Sequence, residues 1–204
     1  MSASEFWNKR YSGDEYIFGR EPNDFIRAVT PTAQAGQKAY APADGEGRNG
    51  VYLAQLGYEV TSNDASALAV AKAEQLAQHH QVRLNACVGD ALNPGFDDES
   101  FDIIIVCFMH FMPDDHMRFM SENKRLLAPG GLFILEGYTA DQIPLSSGGP
   151  KNPQMMMSAA GLGDIFADYQ IVLLQETRRL LSEGARHQGE ASTVQMLARK
   201  PLQP

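Results

Sequence analysis

The sequence predicts an α/β fold, in which helices cover both faces of a mostly parallel sheet. Apolar runs typical of strands alternate with helical patterns through most of the chain. Residues 103–106 are apolar at every position, as expected for a central parallel strand that is buried on both faces. Two strand patterns near the end follow each other without a helix, which predicts an antiparallel terminal pair.

The predicted elements follow from apolar runs, caps and breakers. Ser66 is placed to cap a helix that opens at Ala67. Pro129-Gly130-Gly131 is expected to end the predicted helix 114–127. Residues 145–153 and 180–189 contain turn-forming residues and are predicted to be loops. The predicted strands are 39–42, 58–63, 82–88, 101–107, 132–136, 169–176 and 192–200, and the predicted helices are 48–56, 66–79 and 114–127.

Length and composition indicate one domain, residues 1–204, with a small-molecule partner. The chain has 204 residues, of which 44% are hydrophobic, and this suffices for one core. A net charge of -8 without a basic run argues against nucleic acid, and no apolar run approaches the length of a membrane span. We therefore expect a cytoplasmic protein. Cys87 and Cys107 lie in strand patterns, so buried thiols are expected rather than a disulfide or a metal site.

A glycine-rich turn is the strongest functional signal. Gly45 and Gly47 fall between a predicted strand and a predicted helix, and Asp64 ends the next strand, roughly 20 positions on. Such turns bring backbone amides and a helix N-terminus close to a ligand. This pattern is typical of sites for adenosine-containing cofactors. A turn that needs glycine only for its dihedral angles is the alternative.

Two carboxylates extend the predicted site along the sheet. Asp64 is expected to accept hydrogen bonds from ribose hydroxyls, and Asp90 follows the third strand, where an adenine amino group would lie. Helix capping and a solvated turn are their alternative roles. Residues 45–50 also satisfy the pattern G-x-G-x-x-G, so a nicotinamide-dependent oxidoreductase remains a second possibility.

The chain resembles class I S-adenosylmethionine methyltransferases, and within them the tellurite-resistance and thiopurine-type enzymes. The resemblance rests on the layout of the last strands and on five segments spread over nearly the whole chain. These are FWNKRY at 6–11, FGREPN at 18–23, GEGRN at 45–49, GGPK at 148–151 and EGARHQG at 183–189. It implies a seven-stranded Rossmann-like sheet and methyl transfer to a small soft nucleophile such as a thiol or a selenium or tellurium oxyanion.

The resemblance also implies a cofactor and a set of binding residues. The cofactor would be S-adenosylmethionine, with S-adenosylhomocysteine as product, no metal, and residues 1–30 folded over it as a lid. The expected cofactor-binding residues are Tyr11, Arg20, Ala43, Asp44, Gly45, Glu46, Gly47, Asn49, Asp64, Ala65, Asp90, Ala91 and Cys107.

The acceptor side is defined by fewer residues. His110 ends the fourth strand and is the candidate to accept a proton, with a hydrogen-bonded core role as its alternative. Phe18, Arg179, Arg186 and His187 are expected on the substrate side, where the arginines would approach an anionic acceptor.

The glycine-rich turn departs from the family pattern. Family members usually carry an acidic residue where Ala41 stands, glycine where Ala43 stands, and a small uncharged residue where Asp44 stands. Asp44 is therefore the candidate replacement partner for the cofactor's ammonium group. A binding protein with weak or no transferase activity is the alternative that these departures raise.

Overall fold

Seven strands form one sheet in the computed structural model, which describes residues 2–202. The strands are β1 Lys38–Pro42, β2 Glu59–Asp64, β3 Leu84–Val88, β4 Phe101–Cys107, β5 Leu127–Tyr138, β6 Gln170–Glu183 and β7 His187–Arg199. The helices are α1 Ala3–Tyr11, α2 Asp24–Val29, α3 Arg48–Gln55, α4 Ala67–His79, α5 Pro113–Leu126 and α6 Ala159–Ile165, with 3-10 turns at Ala140–Gln142 and Pro153–Met155.

The strand order is β3-β2-β1-β4-β5-β7-β6. Strands β1 to β5 pair in parallel, while β7 pairs antiparallel with both β5 and β6. This confirms the predicted fold class. The order reverses between β1 and β4, and in open α/β sheets the crevice at such a point, at the carboxyl ends of the strands, is where ligands bind.

The core lies on both faces of the central strands. Ile104 packs in one cluster with Phe119 of α5 and with Phe166, which directly follows α6. Its neighbours Ile103 and Ile105 pack on the opposite face with α2 and α3. All three isoleucines are at most 2% exposed. The uninterrupted apolar run in β4 thus reflects burial on both faces, as predicted.

Two predictions of local structure are wrong. Helix α5 ends at Leu126, within one residue of its predicted end, but β5 begins at Leu127 rather than at residue 132. Pro129-Gly130-Gly131 therefore lies inside β5, where the pairing with β4 shifts register. Residues 180–189 belong to a long hairpin, because β6 and β7 pair without interruption from Leu173 to Glu183. Cross-strand pairing outweighs the turn propensity of this segment. Helices α1, α2 and α6 were not predicted.

Candidate cofactor and acceptor site

The glycine-rich turn connects β1 to α3 at the reversal of strand order. Gly45 and Gly47 both adopt positive φ, 59° and 86°, and Gly47 is the N-cap of α3. A Cβ at Gly47 would lie 2.5 Å from the Cβ of Ala73, and one at Gly45 would lie 2.6 Å from the Tyr11 hydroxyl. Glycine is therefore required at both positions for conformation and for space.

Asp64, at the end of β2, holds the glycine-rich turn through a hydrogen bond from a backbone amide of the turn. Asp64 accepts a hydrogen bond from the amide of Gly45 at 3.0 Å through Oδ2, and from the amide of Ser66 at 2.8 Å through Oδ1. Burial raises the pKa of Asp64, while these two bonds act in the opposite direction. Ser66 in turn caps α4 by accepting from the amide of Ala69, as predicted. Ala65 lies between them, partly buried.

Asp90 and Ala91 follow the next strand, β3. Asp90 is exposed and its Oδ1 accepts from the amide of Leu92 at 2.9 Å. Ala91 is 8% exposed and packs into the core. The carboxylates of Asp64 and Asp90 thus lie at the carboxyl ends of adjacent parallel strands.

Asp44 lies beneath the first turn of α3. Its Oδ2 accepts from the amide of Gly50 at 2.9 Å, which makes it a cap for the helix N-terminus. Burial raises the pKa of Asp44 to about 7, against the lowering effect of that hydrogen bond and of Arg48. A role as ammonium partner stays a prediction.

The N-terminal segment covers the glycine-rich turn. Tyr11 is 4% exposed, and Asn8 accepts a hydrogen bond from the Ser66 hydroxyl at 2.7 Å. Burial raises the pKa of Tyr11, and the carboxylates of Asp64 and Glu46 add to this. The phenol is therefore neutral, with its hydroxyl facing Gly45.

Glu46 ties the same segment down. Its Oε2 accepts from the amide of Ile17 at 2.8 Å, and its Oε1 pairs with Lys72 at 2.7 Å. Lys72 also donates to the carbonyl of Glu15, and the Tyr16 hydroxyl donates to the carbonyl of Lys72. The segment 15–17 is therefore bound to both the glycine-rich turn and α4.

A buried ionic network lies behind the site. Glu136 is fully buried and binds Arg179, Asn23 and Gln195. Glu183 pairs with Arg48 and Arg179, each at 2.7 Å. Burial acts to raise the pKa of Glu183, but a neighbouring histidine and the two guanidinium groups hold it well below its ordinary value.

Arg48 connects this network to the end of β4. Its Nη2 lies 3.6 Å from the Cys107 thiol, while its Nη1 is buried without a hydrogen bond in the part of the chain that is described. Burial raises the pKa of Cys107 to about 12, although Arg48 acts to lower it. The thiol is therefore un-ionised and packs as a neutral group.

An aromatic cluster borders the same strand ends. We define it as Phe18, Phe108, Tyr138 and His187. Phe108 lies 4.4 Å from Tyr138 and 4.7 Å from His187, and Phe18 lies 4.6 Å from His187, measured between ring centroids. Burial lowers the pKa of His187. The cluster is thus uncharged near neutral pH.

His110 has both ring nitrogens engaged with the backbone. Nδ1 lies 2.9 Å from the carbonyl of Met155 and Nε2 lies 3.1 Å from the amide of Tyr138. One partner accepts and the other donates, so the neutral ring with a proton on Nδ1 satisfies both. Burial lowers the pKa of His110 to about 4. A catalytic role stays a prediction, and this geometry favours the core role.

The structure brings most of the predicted residues together at one edge of the sheet. Asn49 faces the N-terminal segment and accepts from the amide of Asn23 at 2.9 Å. Arg20 is exposed and stacks on Tyr16, and Arg186 is exposed in the hairpin turn. Arg179 forms ion pairs with three carboxylates, those of Asp24, Glu136 and Glu183.

Sequence reasoning missed several buried polar residues. Glu136 interrupts an apolar strand, and a carboxylate in such a run requires a partner, so this signal was present in the sequence. Glu136 was expected to face the crevice, but without a role. The other buried polar residues to which no role was assigned are Asn23, Arg48, Asn63, Lys72, Glu183 and Gln195.

A cavity of about 650 Å³ opens elsewhere, at the amino ends of the strands. It is lined by Lys38, Glu59, Arg83 and Phe101, all at or before the first residues of their strands. It therefore lies at the edge opposite the glycine-rich turn. Within residues 2–202 no helix is long and apolar enough to cross a membrane.

Comparison with known sequences points to the same region. Residues 42–135 match the family described as "Methyltransferase domain". Phthiotriol/phenolphthiotriol dimycocerosates methyltransferase of Mycobacterium tuberculosis is 30% identical over 118 residues, which cover 54% of this chain. The aligned region spans 41% of that relative's length.

Solved structures share the fold over nearly the whole chain. TehB from Haemophilus influenzae aligns with a TM-score of 0.68 and 19% identity, covering 98% of this chain and 67% of that one. A protein studied for the conversion of a disulfide bond into a thioacetal group during echinomycin biosynthesis aligns with a TM-score of 0.72 and 21% identity, covering 100% and 94%. The [4+2]-cyclase SpnF aligns with a TM-score of 0.67 and 16% identity, covering 98% and 93%.

The matched region contains the glycine-rich turn, Asp64, Asp90 and the end of β4. Residues 42–135 are thus similar to a methyltransferase domain, and the fold is shared with solved structures that include an S-adenosylmethionine-dependent methyltransferase.

Proposed function

We propose that the protein binds S-adenosylmethionine at the glycine-rich turn and transfers its methyl group to a small soft nucleophile. The observation that carries this proposal is the convergence of Gly45, Gly47, Asp64 and Asp90 at the carboxyl ends of three adjacent parallel strands. Tyr11 covers the turn from the N-terminal segment. Glycines that leave room at a helix N-terminus, followed by two carboxylates, fit a cofactor that joins an amino acid to a nucleoside.

The residues have distinct roles in this proposal. Gly45 and Gly47 admit the amino-acid part, Asp64 holds the ribose hydroxyls, and Asp90 with Ala91 borders the adenine. When bound, the cofactor supplies an electrophilic methyl group on a sulfonium. Tyr11 and the segment 15–18 exclude water, and the aromatic cluster positions the acceptor, so that orientation provides most of the rate enhancement.

The charges around the aromatic cluster favour an acceptor without a fixed negative charge. Arg48 and Arg179 are both neutralised by Glu136 and Glu183, and Arg186 is exposed. Phe108, Tyr138 and His187 form an aromatic, uncharged cluster, in which Tyr138 and His187 are buried. A thiol or selenol with an apolar body suits this cluster better than a selenium or tellurium oxyanion, and membership of the tellurite-resistance group is itself part of the proposal.

The protonation states support an acceptor that ionises by itself. His110 has both nitrogens engaged, and burial lowers the pKa of His187. Aromatic thiols ionise near neutral pH and need no strong base. We therefore expect methylation of aromatic thiols to exceed that of aliphatic thiols, selenite and tellurite. The proposed location of this reaction is the cytoplasm.

Mass spectrometry of the products tests this proposal. Purified protein is incubated with S-adenosylmethionine and each acceptor class, and methylated product is quantified against a Gly47→Val control, whose side chain would collide with Ala73. Methylated aromatic thiol above the control supports the proposal. Product only from selenite or tellurite would contradict the acceptor class.

A binding protein without transferase activity is the second candidate. It is favoured by the departures at Ala41, Ala43 and Asp44 and by the similar fold of SpnF, described as a [4+2]-cyclase. Binding of S-adenosylmethionine without turnover of any acceptor would support it. The nicotinamide-dependent oxidoreductase requires binding of NAD instead.

A further inference from the structure

Ala43 adopts a backbone conformation that favours glycine. Its φ is 49°, in the left-handed region, directly between β1 and Gly45. A side chain makes this region unfavourable for alanine relative to extended conformations. The neighbouring structure must therefore hold Ala43 in place.

Asn63 provides that hold. It is 2% exposed, and its Oδ1 accepts hydrogen bonds from the amide of Ala43 at 3.2 Å and the hydroxyl of Tyr40 at 3.0 Å. Its backbone carbonyl accepts from the amide of Asp44 at 3.1 Å. With Asp64 accepting from Gly45, the end of β2 fixes three successive amides of the turn.

We propose that Asn63 is a positioning residue for the cofactor site, which keeps Ala43 left-handed and thereby aligns the glycine-rich turn. The inference rests on the proposed function, because the affinity it controls is that for the cofactor. Asn63 is buried next to the glycine-rich turn. It acts through Ala43 rather than on the reacting atoms.

The effect of Asn63 on the glycine-rich turn depends on the side chain of residue 43. Without the Asn63 oxygen, Ala43 loses the hydrogen bond that opposes its relaxation toward extended backbone. Because Gly45 follows two residues later, such relaxation displaces the amides that face the ligand. Glycine at position 43 has no such preference, so the same loss would then matter little.

The experiment is a double-mutant cycle of Asn63→Ala and Ala43→Gly. Binding of S-adenosylhomocysteine is measured by calorimetry, and thermal unfolding is measured for each variant without ligand. We expect Asn63→Ala to weaken binding at least about tenfold when residue 43 is alanine, and less than about threefold when it is glycine. Equal losses in both backgrounds, or none in either, would overturn the inference.

Two controls separate positioning from general destabilisation. Asn85→Ala removes an exposed asparagine from the neighbouring strand β3, whose side chain donates a hydrogen bond to the Thr61 hydroxyl, and should leave binding unchanged. Tyr40→Phe removes the second hydrogen bond to the Asn63 oxygen, that from the Tyr40 hydroxyl. This variant should have a lower melting temperature, whereas its affinity for S-adenosylhomocysteine should change much less. Asn63→Val, which fills more of the space, replaces Asn63→Ala if the latter is unfolded.

The outcome also distinguishes this inference from the proposed function. Wild-type protein that binds no S-adenosylhomocysteine would overturn both. Wild-type binding that is undiminished in Asn63→Ala would overturn only the positioning role.

Discussion

Arg179 binds Glu136 through two parallel hydrogen bonds, from Nε to Oε1 at 2.9 Å and from Nη2 to Oε2 at 2.6 Å. Glu136 is fully buried, and Arg179 also reaches Glu183. This paired fork joins the end of β5 to the terminal hairpin, directly behind the aromatic cluster. Arg179, which was expected on the substrate side, thus has a structural role in this network, and its contact with substrate stays a prediction.

Replacing Arg179 should therefore destabilise the fold. Arg179→Ala leaves the Glu136 carboxylate buried without its main counter-charge, which costs about 3–5 kcal/mol. Chemical denaturation measures the effect, and Arg178→Ala is the matched control because Arg178 is exposed. The control should cost less than about 0.5 kcal/mol. Equal stabilities of the two variants would show that the fork is not formed in solution.

His110 should contribute to stability rather than to proton transfer. Burial lowers its pKa to about 4, so the folded protein resists protonation that the unfolded chain accepts near pH 6.5. This contribution is present above pH 6.5 and is lost as the pH falls through about 4.

The variant His110→Asn tests this role, since it lacks the ring nitrogen that accepts from Tyr138. We expect a loss of about 1–3 kcal/mol of stability at neutral pH and a weaker decline in acid. Turnover at saturating substrate, measured below the melting temperature, should stay within about tenfold. A loss of 100-fold or more, the scale of a missing general base, would instead make His110 catalytic.

Asp44 should make the protein less stable in base. Its pKa is raised from 3.8 to about 7 in the fold, so the folded protein retains a proton that the unfolded chain has released. The contribution of Asp44 to stability is therefore greatest below pH 3.8 and is lost as the pH rises through about 7.

Melting temperatures of wild type and Asp44→Asn between about pH 5.5 and about pH 8.5 check this sign. Asparagine also accepts from the amide of Gly50, so the variant should keep the helix cap and show a flatter profile. Parallel profiles of the two proteins would mean that Asp44 does not titrate in this range.

Lys72 should control access to the site. Lys72→Met removes the partner of Glu46 and frees the segment 15–17, whose amide at Ile17 bonds the same carboxylate. We expect faster proteolysis within residues 12–20 and about tenfold weaker binding of S-adenosylhomocysteine, because a covering segment that opens more often retains ligand less well. Lys9→Met, on an exposed lysine of α1, is the control. Unchanged proteolysis of Lys72→Met would contradict the role of Lys72 in holding the segment 15–17 in place.

The sheet could be predicted from the sequence because its signals are local. The apolar run of β4 and the cap at Ser66 act within a few residues, and both are confirmed. The hairpin of β6 and β7 was only partly predicted, because its length depends on pairing between strands rather than on the residues of segment 180–189 themselves.

Some residues of the candidate site could likewise be predicted from local patterns, and others could not. Gly45, Gly47 and Asp64 are recognisable because a turn and a strand end carry their spacing. Asn63 and Lys72 act across distances in sequence that no local pattern records, 20 residues to Ala43 and 26 to Glu46. The carboxylate partners of Arg179 could not be predicted either, because only the folded structure brings them together.

Calorimetric titration of the wild-type protein with S-adenosylmethionine, S-adenosylhomocysteine and NAD in parallel tests the central claim most directly. We predict micromolar binding of the two sulfur compounds at one site per chain and no binding of NAD. Absence of binding to both sulfur compounds would contradict the assignment of the glycine-rich turn as a methyl-donor site.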